Sequence, residues 1–124
     1  MENDLEPLSK EEIQEKLKVL PGWIYKNNKI SKQFEFASFM EGLKLVNDLA
    51  PFCERIDHHP DICIYYRKIT FELTRYSIGG KVTGRDFQVA REIERIYEKS
   101  QWPTSGADLA IIWSLVIYLL KVVL

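Results

Sequence analysis

Hydrophobic residues recur along the chain with two different periods, and the alternation of these periods predicts the order of helices and strands. Apolar residues spaced three and four positions apart follow Ser9, Ser38 and Thr83, which is the period of one helix face. Between these segments, apolar and polar residues alternate, as they do in strands with one covered face. The sequence therefore predicts a helix, two strands, a helix, two strands and a final helix.

The first predicted helix has a clear start signal. Ser9 and Glu12 have the spacing of a capping box, in which a hydroxyl and a carboxylate satisfy each other's backbone N–H groups. We therefore expect a helix over residues 10–20. Residues 1–8 show no periodicity and are expected to form a loose arm.

Two strand pairs are predicted as hairpins. Segments 23–25 and 30–36 flank two asparagines, which tolerate positive φ and favour a tight turn. Segment 61–66 and the strand after it flank a short polar break at Arg67 and Lys68. We expect the covered face of the last strand to carry Ile69, Phe71 and Leu73.

The second and third helices are also capped in the sequence. Ser38 starts the second helix, and Pro51 is expected to end or kink it near its last turn. Thr83 and Asp86 form another capping pair ahead of the third helix. The stripe that we expect to face the core on the second helix consists of Phe39, Leu43, Val46 and Ala50. On the third helix it consists of Phe87, Ala90, Ile93 and Tyr97.

This order predicts an α+β fold with two layers. A four-stranded antiparallel sheet has helices on one face in the order α-β-β-α-β-β-α, followed by an apolar C-terminal tail helix. Open edges of such a sheet favour pairing with a second subunit. We divide the chain into a domain over residues 1–100, a linker over 101–108 and a tail over 109–124.

The tail is apolar apart from Ser114 and Lys121. As a helix it would be about 24 Å long, which is shorter than the roughly 30 Å hydrocarbon core of a bilayer. Three interpretations remain open: a short membrane anchor, a helix buried in an oligomer, and a segment without function. Membrane attachment is favoured because a helix that is apolar on all sides needs lipid or protein around it.

Composition narrows the class of protein. The chain has 124 residues, of which 46% are hydrophobic and 28% charged, with a formal net charge of -1, as expected for one globular domain. No basic run is long enough to follow a phosphate backbone, so we expect no direct contact with nucleic acid. The two cysteines, Cys53 and Cys63, are interpreted as reduced thiols. The acidic N-terminus does not resemble a signal peptide, so a cytoplasmic protein is expected.

The candidate chemistry lies just after the second helix, where the only two histidines of the chain stand side by side. His58 and His59 are flanked by Asp57, Pro60 and Asp61. Histidine titrates near neutral pH, so this cluster is a candidate for proton transfer. A solvated polar loop is the alternative that the pattern alone leaves open. A metal site is not expected, because adjacent residues of an extended segment point to opposite sides.

The run Glu54-x-x-x-His58-His59-Pro60, followed after five residues by Tyr66, resembles the pterin-4a-carbinolamine dehydratases. The resemblance extends over residues 9–100. It implies the α+β sheet fold, assembly as a homodimer or homotetramer, and dehydration of 4a-hydroxytetrahydropterin to quinonoid dihydropterin, which recycles the pterin. No cofactor is expected. Other positions that match the family are Trp23, Phe34, Phe36, Gly80, Thr83 and Asp86.

The resemblance also implies roles for individual residues. His58 and His59 match the paired active-site histidines and would share the acid–base and orienting work. A third histidine of the family falls at Tyr76 or Ser77, depending on the direction of counting, and the Tyr76 phenol would be a poorer acid. Residues expected to bind the substrate or orient the histidines are Glu54, Asp57, Trp23, Pro60, Ser77, Arg85 and Asp86. From pattern alone, Trp23 is interpreted either as a core aromatic or as a wall beside a flat ligand.

Two classes of function therefore remain. The first is a pterin carbinolamine dehydratase that acts through its histidines. The second is a non-catalytic dimerisation or assembly module with the same fold, because the third histidine is replaced. Dehydration of 4a-hydroxytetrahydropterin with and without the protein distinguishes the two classes.

Overall fold

A computed structural model of the chain describes residues 2–101 and 106–123. The strands are β1 (Ile24–Lys26), β2 (Lys29–Glu35), β3 (Asp61–Tyr65) and β4 (Lys68–Leu73). The α-helices are α1 (Lys10–Leu17), α2 (Phe39–Ile56), α3 (Gly84–Ser100) and α4 (Gly106–Val123). Two short 3-10 turns lie at Glu2–Leu5 and Tyr76–Ile78.

The four strands form one antiparallel sheet in the order β1-β2-β4-β3, which confirms the predicted α+β class. Phe34 of β2 is paired with Ile69 of β4, and Ile62 of β3 is paired with Phe71 of β4. The β1–β2 turn uses Asn27 and Asn28, both with positive φ, as hairpin turns that match strand twist require. The two longest strands therefore occupy neighbouring positions inside the sheet.

The hydrophobic core lies between one face of the sheet and the helices. The alternation predicted for β4 is confirmed, because Ile69, Phe71 and Leu73 are buried. Burial of each large apolar side chain stabilises the folded state by roughly 1.5–3 kcal/mol. These three residues therefore contribute substantially to the free energy of folding. The core residues contributed by α2 and α3 are Leu45, Leu49, Cys53, Phe87, Val89, Ala90, Ile93 and Ile96.

The stripe predicted for α2 is wrong by less than a third of a helical turn. Phe39 is 43% exposed, whereas Gly42 is buried against the sheet. A Cβ atom added to Gly42 would lie 2.9 Å from Ile69 Cδ1, so the missing side chain lets the helix approach β4 closely. The sequence carries two adjacent apolar stripes, and this close approach selects the one with Gly42, Leu45, Leu49 and Cys53.

Two expected helix ends differ from the structure. Helix α2 does not end at Pro51 but continues to Ile56, and the other expected effect of Pro51, a kink, stays a prediction. Proline removes one backbone donor, and the helix continues past it so that Cys53 is buried in the core. Helix α1 ends at Leu17 rather than at residue 20, although the predicted capping box of Ser9 and Glu12 is confirmed.

The N-terminal segment is not the loose arm that the sequence predicted. The Leu8 N–H donates to the Val82 carbonyl at 2.9 Å, and Pro7 forms a bridge with Thr83. Asp4 lies so close to the start of α3 that a Cβ on Gly84 would be 3.1 Å from the Asp4 Cα. We call residues 2–8 the N-terminal arm; tertiary contacts hold it against α3.

The C-terminal tail is helical from Gly106 onward, and its described side chains from Trp113 to Val122 are exposed. Residues 102–105 lie outside the described residues. They make up half of the linker that the sequence predicted over 101–108. Within the described part of the chain, no helix combines the length and hydropathy needed to cross a membrane.

Candidate active site

The C-terminal end of α2 directs the two histidines in different directions. Asp57 caps the helix in the left-handed conformation, with φ 53° and ψ 51°. The His58 N–H then donates to the Cys53 carbonyl at 3.0 Å, which closes the helix and turns the chain back. Aspartate is one of the few residues that adopt this conformation readily. Asp57 therefore sets the point from which His58 enters the protein.

His58 forms a buried pair with a carboxylate of α3. Its side chain is 10% exposed, and its Nε2 lies 2.5 Å from Oδ1 of Asp86, which is fully buried. The second Asp86 oxygen accepts the Thr83 backbone N–H at 2.8 Å, as the predicted capping box requires. A carboxylate only accepts hydrogen bonds, so the tautomer that satisfies this contact has its hydrogen on Nε2 and leaves Nδ1 for other contacts.

His59 lies on the outer side of the same turn. Its side chain is 51% exposed, and its Nε2 contacts Oε2 of the exposed Glu54. The two imidazoles therefore have separate carboxylate partners in different environments. The partner of His58 is Asp86 and not Asp57, which the sequence had placed beside both histidines.

A cleft of about 370 Å³ opens beside both histidines. This volume lies within the range of roughly 300–1,000 Å³ that is usual for small-molecule sites. The walls come from the end of α2, the end of β4 with the 3-10 turn after it, the start of α3 and the N-terminal arm. The lining residues are Leu5, Asp57, His58, His59, Thr74, Arg75, Tyr76, Ser77 and Arg85.

The turn after β4 places Tyr76 at the mouth of the cleft. Tyr76 is 58% exposed, and its hydroxyl donates to Oδ2 of Asp61. Lys29 Nζ lies 5.7 Å from the centre of the Tyr76 ring. The hydrogen bond with Tyr76 and then the charge of Glu72 raise the pKa of Lys29 above its ordinary value.

Arg75 and Arg85 form the cationic wall of the cleft. Arg75 donates from Nε to Ser77 Oγ at 3.0 Å and from Nη1 to the Leu5 carbonyl at 2.5 Å. Arg85 donates from Nη1 to the Ile56 carbonyl at 2.7 Å. Each guanidinium thus joins two of the elements that form the cleft.

Asp4 of the N-terminal arm faces Arg85. The Arg85 Nε lies 3.5 Å from Asp4 Oδ2, which is an ion-pair distance without hydrogen-bond geometry. The same Asp4 oxygen accepts Gln88 Nε2 at 2.9 Å. The charge of Arg85 is therefore balanced by the arm.

The sequence-predicted site residues separate into two groups. Besides both histidines, the cleft is lined by four of them: Asp57, Tyr76, Ser77 and Arg85. Asp86 lies behind His58, and Glu54 lies beyond His59. Neither Pro60 nor Trp23 is among the lining residues.

Trp23 belongs to the core, which was one of its two interpretations. It is buried, its ring meets Phe34 edge to face at 6.2 Å, and its Nε1 donates to Glu94 at 2.8 Å. An indole held on both sides in this way does not offer a face to the cleft.

Three lining residues were missed by sequence reasoning: Leu5, Thr74 and Arg75. A cation directly before Tyr76, at the end of a predicted strand, was a usable signal for Arg75. Leu5 carried no signal, because the arm reaches the cleft only through tertiary contacts. As for metals, no group of three or more suitable ligand residues occurs within residues 2–101 and 106–123.

Comparisons with known proteins agree on one family. The family model described as pterin 4 alpha carbinolamine dehydratase matches residues 6–96. A Sulfolobus acidocaldarius protein provisionally named a pterin-4-alpha-carbinolamine dehydratase is 42% identical over 89 residues, covering 72% of this chain and 97% of that protein. A Streptomyces avermitilis protein with the same provisional name is 36% identical over 90 residues, covering 73% of this chain and 89% of that protein.

The fold has a counterpart among solved structures. A Brucella melitensis protein described as a transcriptional coactivator/pterin dehydratase superimposes with a TM-score of 0.69 at 28% sequence identity. The superposition covers 73% of this chain and 97% of that protein.

Proposed function

Since the chain belongs to the pterin 4 alpha carbinolamine dehydratase family, we propose that it converts 4a-hydroxytetrahydropterin to quinonoid dihydropterin and water. The observation that carries the proposal is the buried pair of His58 and Asp86 beside a cleft of ligand size. Such a pair holds an imidazole in one tautomer at a fixed position, as acid–base catalysis needs.

The reaction requires two proton transfers. The C4a hydroxyl leaves as water after receiving a proton, the N5 proton is lost, and a double bond forms between N5 and C4a. The hydrogen on His58 Nε2 is directed to Asp86, so Nδ1 is the nitrogen that accepts the N5 proton. His59, whose imidazolium form Glu54 would stabilise, donates to the departing hydroxyl.

Tyr76 and Asp57 have supporting roles in this proposal. The Tyr76 hydroxyl already donates to Asp61, so it orients the substrate instead of delivering the proton. Asp57 stands on the cleft wall beside both imidazoles. Its charge favours the cationic imidazole that forms during the reaction.

Replacement of His58 by alanine tests the proposal. We expect the catalysed rate above the spontaneous rate to fall at least about tenfold, because a positioned acid or base contributes about 10²–10⁴-fold. Ultraviolet absorbance follows the decay of 4a-hydroxytetrahydropterin. His59→Ala is the comparison, and it should lose less because its ring is held only at the surface.

Unchanged turnover in His58→Ala would remove this residue from the mechanism. A wild-type rate equal to the spontaneous rate would reject the enzyme and leave the non-catalytic assembly role.

We also propose that the chain forms a homodimer or homotetramer. β3 is an edge strand of the sheet, and Ile64, Tyr65 and Tyr66 at its end are exposed. An unpaired edge with apolar side chains favours pairing with a second copy. Light scattering during size-exclusion chromatography tests this, and a mass equal to one chain at micromolar concentration would reject it.

A further inference from the structure

Arg75 lies in the cleft but has no role in the proposed acid–base chemistry, so its guanidinium is free to contact another part of a ligand. The guanidinium lies on the cleft wall beside Tyr76 and the two histidines. It is held at two points, by Ser77 Oγ at 3.0 Å and by the Leu5 carbonyl at 2.5 Å. Two anchors fix the plane of the guanidinium before any ligand arrives, which lowers the entropy cost of binding.

The charge of Arg75 is not balanced by the protein. Both of its hydrogen-bond partners are neutral oxygens, and within the described residues no carboxylate lies within 4.0 Å of its guanidinium. Arg85 on the same wall differs, because Asp4 lies 3.5 Å from its Nε. Arg75 is therefore the cation of the cleft with charge available for a ligand.

We propose that Arg75 recognises an anionic group on the C6 substituent of the pterin. This inference rests on the proposed function and names its substrate class: pterins whose C6 side chain carries a carboxylate or a phosphate. In the pterin ring, C4a, N5 and C6 are consecutive atoms. A ring placed with C4a and N5 at the histidines therefore projects its C6 substituent from the edge beside them.

The chemistry of the guanidinium favours an anion over a neutral oxygen. Arginine has five N–H donors, of which the two protein contacts use two. The donors that remain match the two oxygens of a carboxylate or phosphate in a bidentate arrangement. The competing contact, with the ring carbonyl O4, would be shared by all pterins and would give no preference among them.

Two fluorescent pterins of similar size provide the test. Pterin-6-carboxylate carries the anion, and 6-hydroxymethylpterin carries a neutral group at the same position. Their dissociation constants for the full-length protein are measured by fluorescence titration at equal ionic strength. We expect the wild type to bind the carboxylate at least about tenfold more tightly, since hydrogen bonds to charged groups are individually strong.

Variants identify the residue responsible. Arg75→Gln should bring the ratio of the two dissociation constants close to one, because the affinity for pterin-6-carboxylate falls much more than the affinity for 6-hydroxymethylpterin. Arg75→Lys keeps the charge but loses the planar fork, so it should retain a smaller preference. Lys81→Gln is the matched control, because it removes an equal charge from an exposed neighbour of Arg75. The two residues are joined through the backbone, where the Arg75 main-chain N–H donates to the Lys81 carbonyl.

The outcomes separate this inference from the proposed function. Equal affinities in the wild type, or an equal loss for both pterins in Arg75→Gln, would overturn the role of Arg75. Dehydration of a substrate with a neutral C6 methyl group, measured on the same preparations, would then still support the enzyme. Failure of both pterins to bind would overturn the role of Arg75, and the dehydration rate of the C6-methyl substrate would then test the proposed function separately. Melting temperatures show that each variant is folded, and a preference equally lost in Lys81→Gln would also reject the assignment.

Discussion

At the scale of single residues, the site depends on the Asp86 carboxylate, which makes two hydrogen bonds with different roles. Asp86 accepts from the His58 imidazole at 2.5 Å and from the Thr83 backbone N–H at 2.8 Å, and it is fully buried. The same side chain thus begins α3 and orients the proposed base. Helix capping and orientation of the proposed base are linked through one residue.

Asp86→Asn should damage stability and turnover together. An amide has one acceptor oxygen where the carboxylate has two. When that oxygen keeps the Thr83 N–H, the NH2 group faces His58 Nε2 and favours the tautomer with the hydrogen on Nδ1, which then cannot accept a proton. We expect a loss of about 1–3 kcal/mol in the free energy of unfolding and at least a tenfold fall in dehydration rate. Urea unfolding and the absorbance assay measure these effects.

Thr83→Ser is the control for that variant, because it keeps the backbone donor and a hydroxyl and leaves the His58 contact intact. Wild-type turnover in Asp86→Asn would show that this pair does not contribute to catalysis.

At the scale of elements, helices α1, α2 and α3 each begin at a cap that a few neighbouring residues provide. In α1 the Glu12 N–H donates to the Ser9 hydroxyl at 3.1 Å, and the Ser9 N–H donates to Glu12 Oε1 at 3.0 Å. The backbone bond from Ser9 is the main cause that lowers the pKa of Glu12 below its ordinary value of 4.5. The ionised form of Glu12 therefore stabilises the start of α1.

The pH dependence of Glu12→Gln follows from the direction of this shift. The folded-state pKa lies below the unfolded one, so the stabilisation is complete above pH 4.5 and is lost as pH falls through the lowered value. We expect the variant to be less stable than wild type at pH 7, with the difference shrinking toward pH 3. Chemical unfolding at both pH values measures it.

Glu11→Gln provides the matched control, since Glu11 is another acidic residue of the first turn with no described cap bond. If both substitutions have the same effect at pH 7, the general charge of the helix start explains the result, and the cap contact does not.

At the scale of the whole molecule, the described core residues belong to the first hundred residues, and the described side chains of α4 are exposed. The core residues run from Ile13 to Ile96, and the family match covers residues 6–96. On α4, Trp113, Tyr118 and Leu119 are each more than half exposed. An exposed apolar surface of this kind favours association with another apolar surface.

A chain that ends at Gln101 should therefore keep its fold and its activity. We expect an unchanged melting temperature in calorimetry and an unchanged dehydration rate, because none of the described core residues is removed. The full chain should bind detergent or liposomes, or form oligomers of higher mass. The shortened chain should show less of each of these three effects. The control is the full chain with Leu115→Lys and Leu119→Lys, which keeps the length of α4 and reduces its apolar surface.

Unfolding of the shortened chain would show that α4 contributes to the core. Full recovery of the complete chain in a soluble fraction without detergent, at the same size as the shortened chain, would contradict the membrane interpretation of the tail.

The sequence by itself determined the features that neighbouring residues create. Ser9 with Glu12, and Thr83 with Asp86, mark helix starts because a cap needs only a residue three positions away. The alternation through β4 marks its covered face because successive strand residues point to opposite sides. The element order, the α+β class and the position of the two histidines followed from such local patterns.

Only the tertiary structure decided how these parts meet. His58 is paired with Asp86, 28 positions away, and Arg75 is held by Leu5, 70 positions away. The choice between the two apolar stripes of α2 depended on the close approach of Gly42 to Ile69. Local patterns do not encode such partners, because each contact depends on how the sheet, the helices and the N-terminal arm pack against one another.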